Sequence, residues 1–425
     1  MIKNILFIGF TVQICLGLFW MAGNLTKIQD FPSADTGVYP VFVHLAGKAY
    51  VLIYLLQLGA ALYAGYRLLV NLHIVEKGIC LWGSLALMTL PMAMQCHMAL
   101  LPYSFVCSLV LLEISFVCES AGKDDISCRK ALVRSLACYA AQCLLWPKYC
   151  IPGAVLPLLL LLWKLPGMFR KKDFFRGLLF TIVLLAVLAA GCGAEQRREG
   201  DGGGISGWNW LLVKRVCWPT LWVDWSSKPE VLDLISSNEI WWSAYYPISM
   251  ETHLKPAMEE AMTPEAADAL MREMVRLAWD RHYPMVVRQI GWDVLGYGVT
   301  PVILPLQLTG DAYDSCSGRN YEIMRNEMPT FTKYYVITAC SWFAVSLVLM
   351  SAAAILSCIA EPVRIRDVIL RAVPVLAVIF SAGMVILFFT MQGAGIMDYK
   401  YTVWINQLWI AGSIKIISGR KFGFQ

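Results

Sequence analysis

The chain has 425 residues, of which 58% are hydrophobic and only 15% charged, and its net charge is +5. Soluble domains carry about 25% charged residues, so this composition argues against a soluble enzyme, a disordered chain and a nucleic-acid binder. Long apolar runs point instead to an all-α polytopic membrane protein.

Ten apolar segments are expected to span a membrane: 4–22, 49–70, 78–96, 102–118, 131–147, 150–164, 176–193, 334–359, 372–391 and 402–418. The sixth is short and is expected to be partly re-entrant. Helices are the natural solution, because lipid offers no partner to an open backbone. The layout divides the chain into an N-terminal membrane region (1–193, about seven helices), a large extracytoplasmic segment (194–333) and a C-terminal membrane region (334–425, about three helices).

Charge supplies the orientation. Residues 195–333 carry 13 Lys+Arg against 19 Asp+Glu, whereas the rest of the chain carries 22 against 11. With the N-terminus inside, the inner loops and helix ends hold 17 basic residues, among them Arg67, Lys77, Arg129, Lys130, Arg134, Arg170 and Arg364. The short outer loops hold four: Lys27, Lys48, Lys148 and Lys400. Basic residues favour the cytoplasmic side, so both termini are placed in the cytoplasm and the chain in the cell membrane. Lys3 before an apolar run imitates a signal peptide. No small-residue cleavage site follows in Trp20-Met21-Ala22-Gly23-Asn24, so the run reads as a retained first helix.

Segment 194–333 holds nine of the 16 Trp. They read either as a surface against lipid headgroups or as the core of a small domain. Thr263 followed by Pro264 and Glu265 signals a helix start. Leu270, Met274, Leu277 and Ala278 form its apolar stripe, with Arg272, Glu273, Arg276 and Asp280 on the other face. Pro284 begins a second stretch, apolar enough to lie in a membrane interface.

The 14 Cys show no CxxC and no zinc-type spacing. Most lie in apolar runs and read as small buried residues. Cys217 and Cys316 lie in the polar segment, where a disulfide is the alternative to two thiols. No P-loop, dinucleotide fingerprint, GxSxG or HExxH is present, and no metal site is expected from five His.

Candidate chemistry therefore comes from polar groups at the outer edge or inside helices. Asp35, in the first outer loop, is placed to act as a general base, the bland alternative being a solvated carboxylate or helix cap. Lys48, Lys148 and Lys400 can hold a phosphate through charge-assisted hydrogen bonds, or simply snorkel to the interface. His97, near Gln95, is a phosphate or sugar ligand or a helix-end His satisfied locally. Asp398-Tyr399-Lys400 follows Gly393-Ala394-Gly395 and offers an acid, a phenol and an amine to a sugar phosphate, or forms an interfacial turn. Glu113 falls inside the fourth segment and is expected towards the cytoplasmic half, as an intramembrane acid with a structural partner or a functional role.

Asp35 in the first outer loop, Lys48 in Gly47-Lys48-Ala49-Tyr50, the late outer segment and the Asp398-Tyr399-Lys400 turn give a layout that resembles the polytopic GT-C glycosyltransferases, such as protein mannosyltransferases and lipid A aminoarabinose transferases. The resemblance implies a polyprenyl-phosphate-linked sugar as donor substrate and a cell-envelope glycan or lipid as acceptor. It implies Asp35 as catalytic base and Lys48 as phosphate ligand, with Lys148 or Lys400 helping; His97, Asp398 and Tyr399 complete the substrate-binding set. The chain departs from the family in two places. Asp35 is followed by Thr36 rather than a second acid, and Lys48 by Ala49 rather than Pro. Two other functions fit the layout. A polymerase or ligase for lipid-linked polysaccharide would use Arg281 and His282, and a non-enzymatic transporter or scaffold would show broken helices and polar groups near the midplane.

Overall fold

The computed structural model describes residues 2–24, 38–46, 50–74, 76–98, 102–120, 125–170, 179–190, 207–217, 254–299, 330–360, 365–391 and 402–418. All regular structure among these residues is helical, as the apolar runs require. The helices are α1 (Ile2–Asn24), α2 (Tyr39–Ala46), α3 (Tyr50–Asn71), α4 (Lys77–Met88), α5 (Pro91–His97), α6 (Tyr103–Ser120) and α7 (Asp125–Leu145). After a 3-10 turn at Pro147–Tyr149 come α8 (Cys150–Gly153), α9 (Val155–Arg170) and α10 (Leu179–Ala190). The chain continues through α11 (Gly207–Leu212), a π turn at Val213–Cys217, α12 (Lys255–Ala261) and α13 (Pro264–Val299). It ends with α14 (Thr330–Ala360), α15 (Ile365–Met391) and α16 (Val403–Ile417).

One main core joins α1, α3–α10 and α13–α16. Trp146, Trp404, Tyr139 and Phe389 are among its fully buried side chains. The outward face is also apolar: Leu52, Leu55, Ile182, Leu185, Ile337, Val348, Ile379 and Phe380 are all exposed. By length and composition, Val51–Asn71 is the one helix among the described residues that is long and apolar enough to cross a membrane. Phe7–Gly23, Tyr334–Leu349 and Ala377–Met391 are shorter apolar stretches. α1 and α14 cross closely because Gly9 leaves its place to the indole of Trp342, where a Cβ would overlap the ring.

The expected span 78–96 is not one helix. Leu90 is extended (φ −58°, ψ 136°) and Pro91 opens α5 at its first turn. Proline cannot donate a backbone hydrogen bond and pushes the residue before it out of the helical region. The carbonyls released at this break are taken by side chains from three other helices. Gln13 Nε2 donates to Ala86 O (3.2 Å), Gln407 Nε2 to Leu87 O (3.2 Å), and the Tyr335 hydroxyl to Thr89 O. Gln13, Thr89 and Gln407 are all buried. Gly17 of α1 faces the same place, and a Cβ there would lie 2.7 Å from Thr89 Cβ.

Two ends of the bundle are distinguishable. At one, Arg67 and Arg134 both pair with Glu119 (3.3 and 3.5 Å), and Lys415 Nζ donates to the carbonyl of His73 (3.2 Å). At the other, Val38 N donates to Leu144 O (2.9 Å) and Tyr103 meets Trp146 edge to face at 5.1 Å.

The described part of segment 194–333 has its own core of Trp210, Val213, Val216, Cys217, Leu254, Met258, Met271, Met274 and Ala278. Helix α13 starts as its sequence signals: Ala266 N donates to Thr263 Oγ1 (3.4 Å). Met274 and Ala278 are buried as expected, and Arg276 bridges Glu273 (3.7 Å) and Asp280 (3.8 Å) on the exposed face. His282 (φ −131°, ψ 19°) kinks the helix just before Pro284. The ring of Pro284 removes the hydrogen bond to Asp280 O and crowds that carbonyl, which accounts for the bend. Of the four described Trp in this segment, Trp208, Trp279 and Trp292 are exposed and Trp210 is core.

Candidate functional site at the α7–α8 end of the bundle

Of the residues singled out by sequence, Asp35, Lys48, Asp398, Tyr399 and Lys400 lie outside the described residues, as does Cys316. Lys148 sits half-buried in the 3-10 turn between α7 and α8. Its neighbours Trp146 and Tyr149 are fully buried and form an aromatic cluster with Phe389 of α15. Trp146 stacks on Phe389 at 6.0 Å with an interplanar angle of 3°, and Tyr149 lies 5.9 Å from Trp146. Pro147 opens the turn.

Chain segments adjoining the candidate loops meet this turn. Val38, three residues beyond Asp35 in the sequence, is bonded to Leu144 O, at the end of the helix that leads into the turn. Thr402, two residues beyond Lys400, is buried, and Trp404 after it shares a cavity with Tyr149. His97, at the end of α5, is buried, with Nδ1 2.7 Å from Ser104 Oγ at the start of α6. That is the locally satisfied reading of this residue, although His97 Nε2 has no hydrogen-bond partner among the described residues.

Glu113 lies closer to this end than its sequence position suggests. Its carboxylate accepts from Ser135 Oγ (2.9 Å) and from Gln142 Nε2 (3.0 Å), both on α7. Helical side chains lean towards the N-terminus of their helix. Here that lean carries the Glu113 carboxyl up α6 towards Gln142, one turn from the end of α7. A small cavity beside it has room for about one water molecule and is lined by Glu113, Gln142, Tyr149, Gly153, Ser381 and Trp404. Gln142 Oε1 has no hydrogen-bond partner among the described residues. A Cβ on Gly153 would lie 3.0 Å from that oxygen and 2.9 Å from Tyr149 Cδ1, so glycine keeps the cavity open.

Sequence reasoning missed a buried ion pair beside this end. Arg215 Nη1 donates to Asp293 Oδ2 (2.5 Å) and to Thr390 O, the penultimate carbonyl of α15 (3.1 Å). Both side chains are about 98–99% buried (2% and 1% exposed). Gln289 Nε2 holds the other carboxylate oxygen at 3.0 Å. The available signal was a charged residue in an apolar environment, Asp293 between Trp292 and Val294; its partner, 78 residues earlier, carries none. Cys217, two residues after Arg215, is buried, and burial pushes its thiol up, keeping it protonated. Arg281 is exposed and His282 occupies the kink of α13.

The arrangement offers a half-buried lysine between buried Pro147 and Tyr149 in the chain, and a buried acid that lines one cavity with Tyr149. No cluster of three or more His, Cys, Asp or Glu able to hold a metal ion occurs among the described residues. Comparison with known proteins finds no matching family model, no matching curated protein and no matching solved structure.

Proposed function

We propose that this chain is a ten-helix, multi-pass cell-membrane glycosyltransferase that moves a sugar from a polyprenyl-phosphate donor to a cell-envelope glycan or lipid at the α7–α8 end of the bundle. Asp35 would take the proton of the acceptor hydroxyl as it attacks the anomeric carbon. The carrier phosphate leaves, held by Lys48 and Lys148 with Lys400. Asp398 and Tyr399 would contact the sugar phosphate, while His97, buried against Ser104, drops out of the substrate-binding set. The observation that carries the reading is convergence: Val38, Lys148 and Trp404, which adjoin or belong to three of the candidate loops, come together at one end. The apolar outward face of the bundle supports the membrane setting, since an apolar patch this extensive on a water-soluble monomer would be exceptional.

Mass spectrometry of lipids that copurify in mild detergent tests it. A polyprenyl phosphate present with the wild type and lost in Lys48→Ala is the expected result, together with loss of transfer in Asp35→Asn at normal expression. No polyprenyl lipid in either sample, or undiminished transfer in Asp35→Asn, removes the assignment.

Two observations favour a second reading, a transporter of lipid or glycan. The α4–α5 break and the buried Glu113 are the broken helix and interior polar group that transport through a membrane uses. Transport by the purified protein in liposomes, with no glycosylated product, would establish it over the first. The polysaccharide polymerase or ligase reading would require loss of activity on replacing Arg281 but not Asp35.

A further inference from the structure

The two halves of α13 differ in what they expose. From Glu265 to Arg281 the exposed side chains are Glu265, Arg272, Arg276, Asp280 and Arg281 with Ala266, Ala269 and Trp279, so five of eight are charged. Beyond the His282 kink, the exposed set is Tyr283, Pro284, Val287, Gly291, Trp292, Val294 and Leu295, with Arg288 as its one charge. Over the same stretch the opposite face closes onto the bundle. Asp293 meets Arg215 at the Thr390 carbonyl, Tyr297 lies 6.0 Å from Phe389, and a Cβ on Gly298 would lie 3.4 Å from Ile386 Cδ1. The end of α13 thus packs on α15 at Phe389 and Ile386. Its end is also provided for. Gly298 O is one of the last carbonyls of α13 and has no successor amide in the helix. It accepts from Trp409 Nε1 (3.3 Å), a residue six positions into α16, about 9 Å along that helix. Gly298 is buried, so this carbonyl needs a protein donor, and Trp409 pins the end of α13 to α16.

We propose that residues 283–299 form a short membrane helix that enters lipid at the His282 kink and turns Tyr283, Val287, Trp292, Val294 and Leu295 to the acyl chains. Its occupant is lipid because α13 packs on α15 at Ile386, and Met384 and Leu387 beside that contact are exposed apolar side chains as well. The inference rests on the membrane reading above and goes beyond a helix lying flat in the interface.

The test uses the full chain in phospholipid nanodiscs, with cysteines introduced singly as Val287→Cys, Val294→Cys, Leu295→Cys and, as a water-exposed control, Ala269→Cys. All four positions are exposed, so folding is little perturbed, and site-resolved mass spectrometry separates them from native cysteines. A charged, membrane-impermeant thiol reagent needs the thiolate, so the three distal sites should react at least about 10-fold more slowly than Cys at 269, and all four equally in SDS. A bimane placed on the same thiols should be quenched by lipids carrying a nitroxide on the acyl chain. Reaction at 287, 294 and 295 as fast as at 269 overturns the inference while leaving the membrane reading intact. Protection without lipid quenching also overturns it, because a second copy of the protein would then cover the face. Failure of the wild-type chain to incorporate into bilayers overturns the membrane reading itself.

Discussion

Gln13 reaches from the first helix to the Ala86 carbonyl, 73 residues away and 3.2 Å from its Nε2, at the point where Pro91 interrupts an apolar run. Gln407 does the same for Leu87 from the last helix. These two amides take the place of the backbone donors that a continuous helix would have supplied.

Replacing Gln407 with Leu should therefore leave a buried carbonyl unsatisfied and destabilise the fold by about 1–3 kcal/mol. Gln13→Leu should cost a similar amount. Thermal unfolding in detergent measures both; an unchanged Tm in each would mean that water satisfies the break.

The Arg215–Asp293 pair should be asymmetric to mutation. Arg215→Met alone leaves Asp293 buried beside Gln289 without its cation and should cost about 3–5 kcal/mol. Replacing both, as Arg215→Met with Asp293→Leu, should recover much of that loss, because neither charge is then stranded. A double-mutant cycle on unfolding midpoints checks the coupling.

Glu113 is held by neutral donors only among the described residues. Glu113→Gln should preserve stability to within about 1 kcal/mol, since the amide oxygen can still accept from Ser135 while its NH2 donates to Gln142 Oε1 once that amide is turned over. Glu113→Ala should lose roughly 2–4 kcal/mol by emptying the site and stranding Gln142. If the transporter reading holds, Gln should abolish transport at near-normal stability, a combination that a purely structural acid would not give.

Gly153→Ala should strain the turn beside Lys148. The new methyl would meet Tyr149 Cδ1 at 2.9 Å and Gln142 Oε1 at 3.0 Å, with an expected cost of about 1–3 kcal/mol. Gly291→Ala, at an open position, should be neutral or slightly stabilising. Paired unfolding curves of the two variants separate crowding from any general response to a lost glycine.

The apolar runs, the Thr263 cap and the Pro284 bend were legible because each rests on local chemistry that the sequence prints. The break at Pro91 was overlooked because the hydropathy of 78–96 hides one proline, and lipid-embedded helices tolerate proline when neighbours resatisfy the backbone. Those neighbours, Gln13 and Gln407, are neutral amides in apolar runs, and nothing local marks which carbonyl each will meet. Arg215 and Asp293 were missed for the same reason: pairing across 78 residues is a tertiary event. Glu113 was recognised as an interior acid, but its partners Ser135 and Gln142 on α7 are again a tertiary pairing that no local pattern marks.

The fit of Trp342 over Gly9 sets an order of events during synthesis. Helix α1 leaves the ribosome with its socket empty, and the ring that fills it is about 330 residues behind, roughly 15–70 s of elongation. Until then the nascent chain must hold α1 without this neighbour, so α1 is locked in place only when α14 arrives.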